Sequence, residues 1–120
     1  MSKKTLVLGA SLKVDKYSNM AVNRLKQSGH EVVAIGLKQG TIDGVSIDTD
    51  LMPYKDIDTV TLYLNPKNQA SYYDYILSLN PKRVVFNPGT ENPEFYNILE
   101  MNDIDFEVAC TLVLLSTKQY

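Results

Sequence analysis

Short apolar runs alternate with segments of helical spacing from one end of this chain to the other, and that alternation constrains the fold more than any other feature. Residues 5–9 (TLVLG) read as a strand buried on both faces and 83–87 (RVVFN) as another buried strand, with 31–36 (EVVAIG) and 59–64 (TVTLYL) as strands between them and 106–109 (FEVA) as the last strand. Residues 41–48 (TIDGVSID) read as a short edge strand with a turn at Asp43-Gly44, and 49–56 as loop. Between the strands, Ser18 is placed to cap a helix with Ala21, Val22 and Leu25 on one face, and Gly29 is placed to end it. Asn65-Pro66 and Asn92-Pro93 are cap-plus-proline starts. The first opens a helix with Ala70, Tyr73, Ile76 and Leu77 inward and Asn80-Pro81 as its stop; the second turns Phe95, Ile98 and Leu99 inward. Residues 110–117 read as a short closing helix. Strands connected through helices require right-handed crossovers, which predicts a doubly wound, three-layer α/β domain with a mostly parallel sheet. The expected strand order is 3-2-1-4-5, with the final strand outside it.

With 120 residues the chain is sized for one core, so residues 1–120 are read as a single domain. A net charge of −2 argues against bulk nucleic-acid binding, which needs a basic field. The lone Cys110 cannot form an internal disulfide, and no Cys/His cluster suggests zinc. No apolar run approaches the roughly 20 residues that span a bilayer, and the N-terminus lacks a signal-peptide core. The expectation is a soluble, cytoplasmic protein with a small-molecule ligand and neither nucleic acid nor membrane as partner.

In a doubly wound sheet, ligands bind beyond the carboxyl ends of the strands where the winding reverses. The loops that line such a crevice here begin at Gly9 and at Tyr63, with Asn87, Pro88, Gly89 and Thr90 at the same edge. Lys13, Lys16, Lys38 and Lys67 follow strands and fall at that edge, so an acidic chain acquires a locally basic crevice. Gly9 permits close backbone approach, Ser11 and Ser18 supply hydroxyls, and a helix start favours an anion. The pattern points to a phosphate-bearing ligand. The dinucleotide fingerprint Gly-x-Gly-x-x-Gly is absent, since only its first glycine stands in GASLKV. Where that fingerprint requires an acid at the end of the second strand, this chain reads Ile35, Gly36, Leu37, Lys38. A lysine there suits an additional phosphate, as in NADP or on the 3′ position of coenzyme A.

Gly9-Ala10-Ser11, Lys16-Tyr17-Ser18, the GHEVV run from Gly29, Gly44, the DTVTLYL run from Asp58, Asn87-Pro88-Gly89 and Ala109-Cys110 together resemble the small stand-alone CoA-binding proteins. That family is similar to the CoA-binding domain of succinyl-CoA synthetase. The resemblance spans nearly the whole chain and implies a Rossmann-like fold that binds coenzyme A or an acyl-CoA. It implies that Gly9, Ala10 and Ser11 meet the pyrophosphate and that Lys16, Tyr17 and Ser18 complete that cradle. Ile35, Gly36, Leu37 and Lys38 would flank the adenosine; Tyr63, Leu64, Asn65, Pro66 and Asn87, Pro88, Gly89, Thr90 would edge the cleft. Many relatives carry an arginine or phenylalanine near Tyr63-Leu64 and a glutamine near Asn87, so this chain departs from them on the pantetheine side.

No Ser/His/Asp set, paired carboxylates or Walker loop stands in the sequence, which favours a non-catalytic binding module with no catalytic residue and no metal. The alternatives are an NADP-type reductase and a CoA-ligase-like subunit that needs a partner. His30 falls at the amino edge and is read as structural. Cys110 is read as a small buried hydrophobe, with a mixed disulfide to coenzyme A as its sharper alternative. Glu91 is the acid expected near a helix start. Tyr73 is read as core-facing, leaving Tyr72 and Tyr75 for a surface between two copies of the chain.

Overall fold

The computed structural model describes residues 2–120. Its apolar runs form β1 (Thr5–Ala10), β2 (Val32–Gly36), β5 (Thr59–Leu62) and β6 (Arg83–Phe86). These four lie side by side and parallel at the centre of one sheet, with β7 (Asp105–Val108) parallel to β6 at one edge. The expected single edge strand is a hairpin, β3 (Gly40–Ile42) and β4 (Val45–Asp48), whose second arm pairs parallel to β2. Asp43 and Gly44 both have positive φ (46° and 81°), which is the backbone of a two-residue turn that reverses the chain. The order is β3-β4-β2-β1-β5-β6-β7, so winding reverses between β1 and β5 and the sequence-derived order holds, with the last strand outermost.

The sheet is covered on both sides. On one face Leu6, Leu8, Ile35, Val60, Leu62, Val84 and Phe86 meet α3 (Tyr73–Leu79) and α4 (Pro93–Met101) through Ile76, Phe95 and Leu99. On the other, Val7, Ala10 and Ala34 meet α1 (Tyr17–Gln27) through Val22 and Leu25, with Leu115 of α5 (Thr111–Ser116) beside them. The closing helix thus forms as expected.

Local chemistry sets the helix ends. Asn65 and Asn92 accept the amides of Asn68 and Phe95 at 3.0 and 3.4 Å, each with proline following. The helix expected after Asn65 is divided. A short α2 (Pro66–Gln69) passes through a 3-10 turn (Ala70–Tyr72) before α3. Ala70 is exposed, Tyr73 and Leu77 are half-buried, and only Ile76 of the expected inner set is fully enclosed. Asn80 takes the left-handed conformation that ends α3 ahead of Pro81.

Between β4 and β5 the chain crosses with no helix. Tyr54 packs there on the core and donates to Asp48, while the Tyr75 hydroxyl donates to Met52 O at 2.5 Å. Tyr75 and Tyr72 are half-buried, each packing in part against its own core. Burial raises the Tyr75 phenol to about 12.

Candidate functional site

The carboxyl ends of β1, β2, β5 and β6 open into a cleft of about 750 Å³, within the range of small-molecule sites. It lies where the winding reverses. Every residue expected at the ligand lines it except Pro66 and Asn87; Lys13, expected at this edge, lines it too, with Leu12 of the same loop, and Tyr72 lines it unannounced.

The first wall is the turn from β1 to α1. A bulge after Leu8 shifts the register so that Ala10, not Gly9, faces Gly36. Gly9 has φ +99°, and a Cβ there would stand 3.0 Å from the Tyr63 carbonyl carbon. A Cβ on Gly36 would stand 2.3 Å from Ala10 O. Only glycine lets these two strand ends approach so closely. Beyond them the Ser11 hydroxyl accepts the Lys13 amide at 3.1 Å, which leaves its own proton free to donate. Asn19 donates to Ser11 O at 2.9 Å and fastens the turn to the helix.

Helix α1 starts at Tyr17, one residue ahead of the expected cap. Its N-cap is Lys16, no side chain caps it, and no acid stands in its first turn. Ser18 is instead a buried residue of that first turn, because the tight turn closed by Lys16 N donating to Lys13 O brings the chain into helix early. An uncapped helix start carrying a lysine concentrates positive charge with unsatisfied amides. Lys13, Lys16 and Lys38 line the cleft, while among the described residues no Asp, Glu, His or Cys does.

The opposite wall is Tyr63, Leu64, Asn65 and Tyr72 with Pro88, Gly89 and Thr90. Burial pushes the Tyr63 phenol above its ordinary range, and its hydroxyl is enclosed without a partner. Asn87 is 2% exposed and turned away from the cleft. Its Nδ2 donates to Thr61 Oγ1 (2.7 Å) and Leu62 O (2.8 Å), and its Oδ1 accepts the Thr111 amide at 2.8 Å. Asn87 therefore anchors α5 beneath the site; a strand-end position shows in sequence, but side-chain direction does not. Pro66 occupies the first position of α2, outside the lining.

The remaining candidates lie elsewhere. His30 stands at the amino edge, its Nδ1 accepting the Lys3 amide at 2.9 Å and its ring against Tyr120. Glu91 accepts the Gly89 amide at 2.8 Å, and Cys110 is the half-buried N-cap of α5; neither lines the cleft. Lys67 is exposed and outside the lining. A groove of about 950 Å³ opens at the amino edge, but Asp58, Glu100, Asp103, Asp105 and Glu107 face Lys3, Lys82 and Arg83 across it, a poor field for an anion. Among the described residues no group of acids, histidines or cysteines is arranged to hold a metal, and no helix is long and apolar enough to cross a membrane.

A mostly parallel, doubly wound sheet with its cleft at the winding reversal defines a Rossmann-like α/β domain. The chain belongs to the CoA binding domain family, whose model matches residues 3–116. Among solved structures it is similar to one described as an uncharacterized protein, with 49% identity over 100% of this chain and 99% of that one and a TM-score of 0.97. It is similar also to cell-free ID.343 from Thermus thermophilus (20% identity, 99% and 91% covered, TM-score 0.86). A hypothetical protein from Pyrococcus horikoshii OT3 shares 25% identity over 93% and 80% of the two chains, with a TM-score of 0.82. No curated protein matches the chain.

Proposed function

We propose that this domain binds coenzyme A or an acyl-CoA in the carboxyl-edge cleft without catalysing a reaction on it. Family membership supports the ligand. The observation that carries the assignment of its phosphates is the start of α1, where a lysine occupies the N-cap and neither a capping side chain nor an acid offsets the helix dipole. A pyrophosphate beside Ser11 and Ser18 would accept the free amides and hydroxyls, neutralised by Lys13 and Lys16. The adenosine lies against Ile35, Gly36 and Leu37 with Lys38 at its 3′-phosphate, and the pantetheine arm runs between Leu64 and Pro88. The lining holds no carboxylate or imidazole to activate its serine and threonine hydroxyls and no thiol, which favours a carrier or sensor over an enzyme.

Lys38 equally suits the additional phosphate of NADP, so an NADP-type reductase is the second reading; a ligase-like subunit completed by a partner is the third. Calorimetric titration and thermal shift with coenzyme A, NAD, NADP and ATP separate them. Coenzyme A at roughly 100 times its Kd should stabilise the fold by about 2.7 kcal/mol, and Ser11→Tyr should abolish that gain while leaving the unliganded melting temperature nearly unchanged. Stabilisation by NADP with none from coenzyme A overturns the assignment. A second chain that co-purifies and confers ligase activity would establish the third reading.

A further inference from the structure

Gln69 is among the most deeply enclosed polar side chains of the molecule, at 0% exposure, and it lies behind the cleft rather than in it. Its Nε2 donates to two main-chain carbonyls at 2.8 Å each, Leu64 O and Thr90 O. Leu64 follows β5, Thr90 follows β6, and both line the cleft. One carboxamide therefore bridges the two loops that form the second wall. Its orientation is fixed from behind, because Asn92 Nδ2 donates to Gln69 Oε1 at 2.9 Å and to Tyr73 Oη at 2.7 Å. Asn92 is itself held as the cap of α4. The alternative, a flipped amide, would set Nε2 against the Asn92 donor and Oε1 against two carbonyls, so the network admits a single arrangement.

Burying a carboxamide is unfavourable unless every donor and acceptor is matched, and an apolar residue would fill the same space without that demand. What an apolar residue would not do is fix the separation of two loops. We infer that Gln69 is a positioning residue for the cleft, setting the distance between the Leu64 and Thr90 loops so that the pantetheine arm enters a preformed slot, while the phosphate cradle on α1 is independent of it. This rests on the proposed coenzyme A reading.

The test compares coenzyme A with 3′-phosphoadenosine 5′-diphosphate, which carries the adenosine, the 3′-phosphate and the pyrophosphate but no pantetheine, by calorimetry on the full chain. In Gln69→Met, similar in length but without the bridge, affinity for coenzyme A should fall about tenfold or more as preorganisation is lost, with the pantetheine-free nucleotide changed less than twofold. Asn92→Asp keeps an acceptor to cap α4 but removes the donor that orients Gln69. It should produce the same selective loss, smaller in size, and it serves where Gln69→Met does not fold. Hydrogen exchange at the Thr90 amide, which donates to Asn87 O, should quicken in both variants while the β1 amides keep their protection. Coenzyme A affinity unchanged in the folded variants, or equal losses for both ligands, overturns the inference while leaving the ligand assignment intact. A wild-type chain that binds neither compound overturns the assignment itself, and this inference with it.

Discussion

Glycines of the same chemical kind carry different structural demands here. Gly36 has a main-chain oxygen 2.3 Å from where its Cβ would be, so Gly36→Ala must spread β1 from β2 at the mouth of the cleft. It should destabilise by about 1–3 kcal/mol, in the manner of an overpacked core. Gly29 ends α1 at φ +86° with open space around it, so Gly29→Ala meets only the backbone penalty of about 1 kcal/mol. Urea midpoints of the two variants check the ranking, and a Gly36→Ala chain as stable as the wild type would mean the strand ends have room to spare. The sequence shows both glycines as punctuation; the neighbouring oxygen that makes one of them the stricter requirement comes from the far side of a parallel pair.

At the scale of the element, α1 sacrifices its own stability to its surroundings. A lysine at the N-cap with an uncompensated first turn is a poor helix start, and Lys16→Asp replaces it with a preferred cap that also complements the dipole. That variant should gain about 0.5–1 kcal/mol in the absence of ligand and lose about tenfold in affinity for coenzyme A. Opposite signs for stability and binding are the signature of an element shaped for an anion. Denaturation and calorimetry on one preparation measure both, and a gain without a loss of affinity would detach Lys16 from the site. The helix following Asn65 shows the complementary lesson. Its cap and proline are legible as sequence, yet it divides at a 3-10 turn just after Gln69, whose side chain turns inward to the two loops, a contact periodicity cannot register.

Across the whole molecule the last residue is tied back to the first strand. Tyr120 shares a 2.6 Å hydrogen bond with Thr5, stacks beneath the Arg83 guanidinium at 4.5 Å and packs on His30. Lys3 Nζ donates to Tyr120 O at 2.6 Å. His30 is the titrating member. It must be neutral to accept the Lys3 amide, and burial, then the Lys3 charge, with Arg83 adding to it against an opposing Asp58, hold its pKa below the ordinary 6.5. A proton bound more tightly by the unfolded chain than by the folded one makes stability rise with pH. The contribution is complete above pH 6.5 and is withdrawn as pH falls from there through the lower folded value. Between about pH 7.5 and 5.5 the wild type should therefore lose more melting temperature than His30→Asn, whose amide oxygen accepts without titrating. Parallel pH profiles would show that His30 does not link protonation to the clamp.

What the sequence determined by itself was the alternation of strand and helix, the parallel order, the edge at which the cleft opens and nearly all the residues that line it. These follow from local signals: apolar runs, asparagine-proline starts, and the rule that loops after parallel strands share one edge. What only the tertiary structure decided was direction and partnership. Asn87 faces α5 and not the cleft, Tyr72 lines the cleft, and Gln69 joins two loops that are 26 residues apart between Leu64 and Thr90. Side-chain direction at a strand end and the matching of buried polar groups depend on atoms distant in sequence, whose positions exist only once the layers have closed.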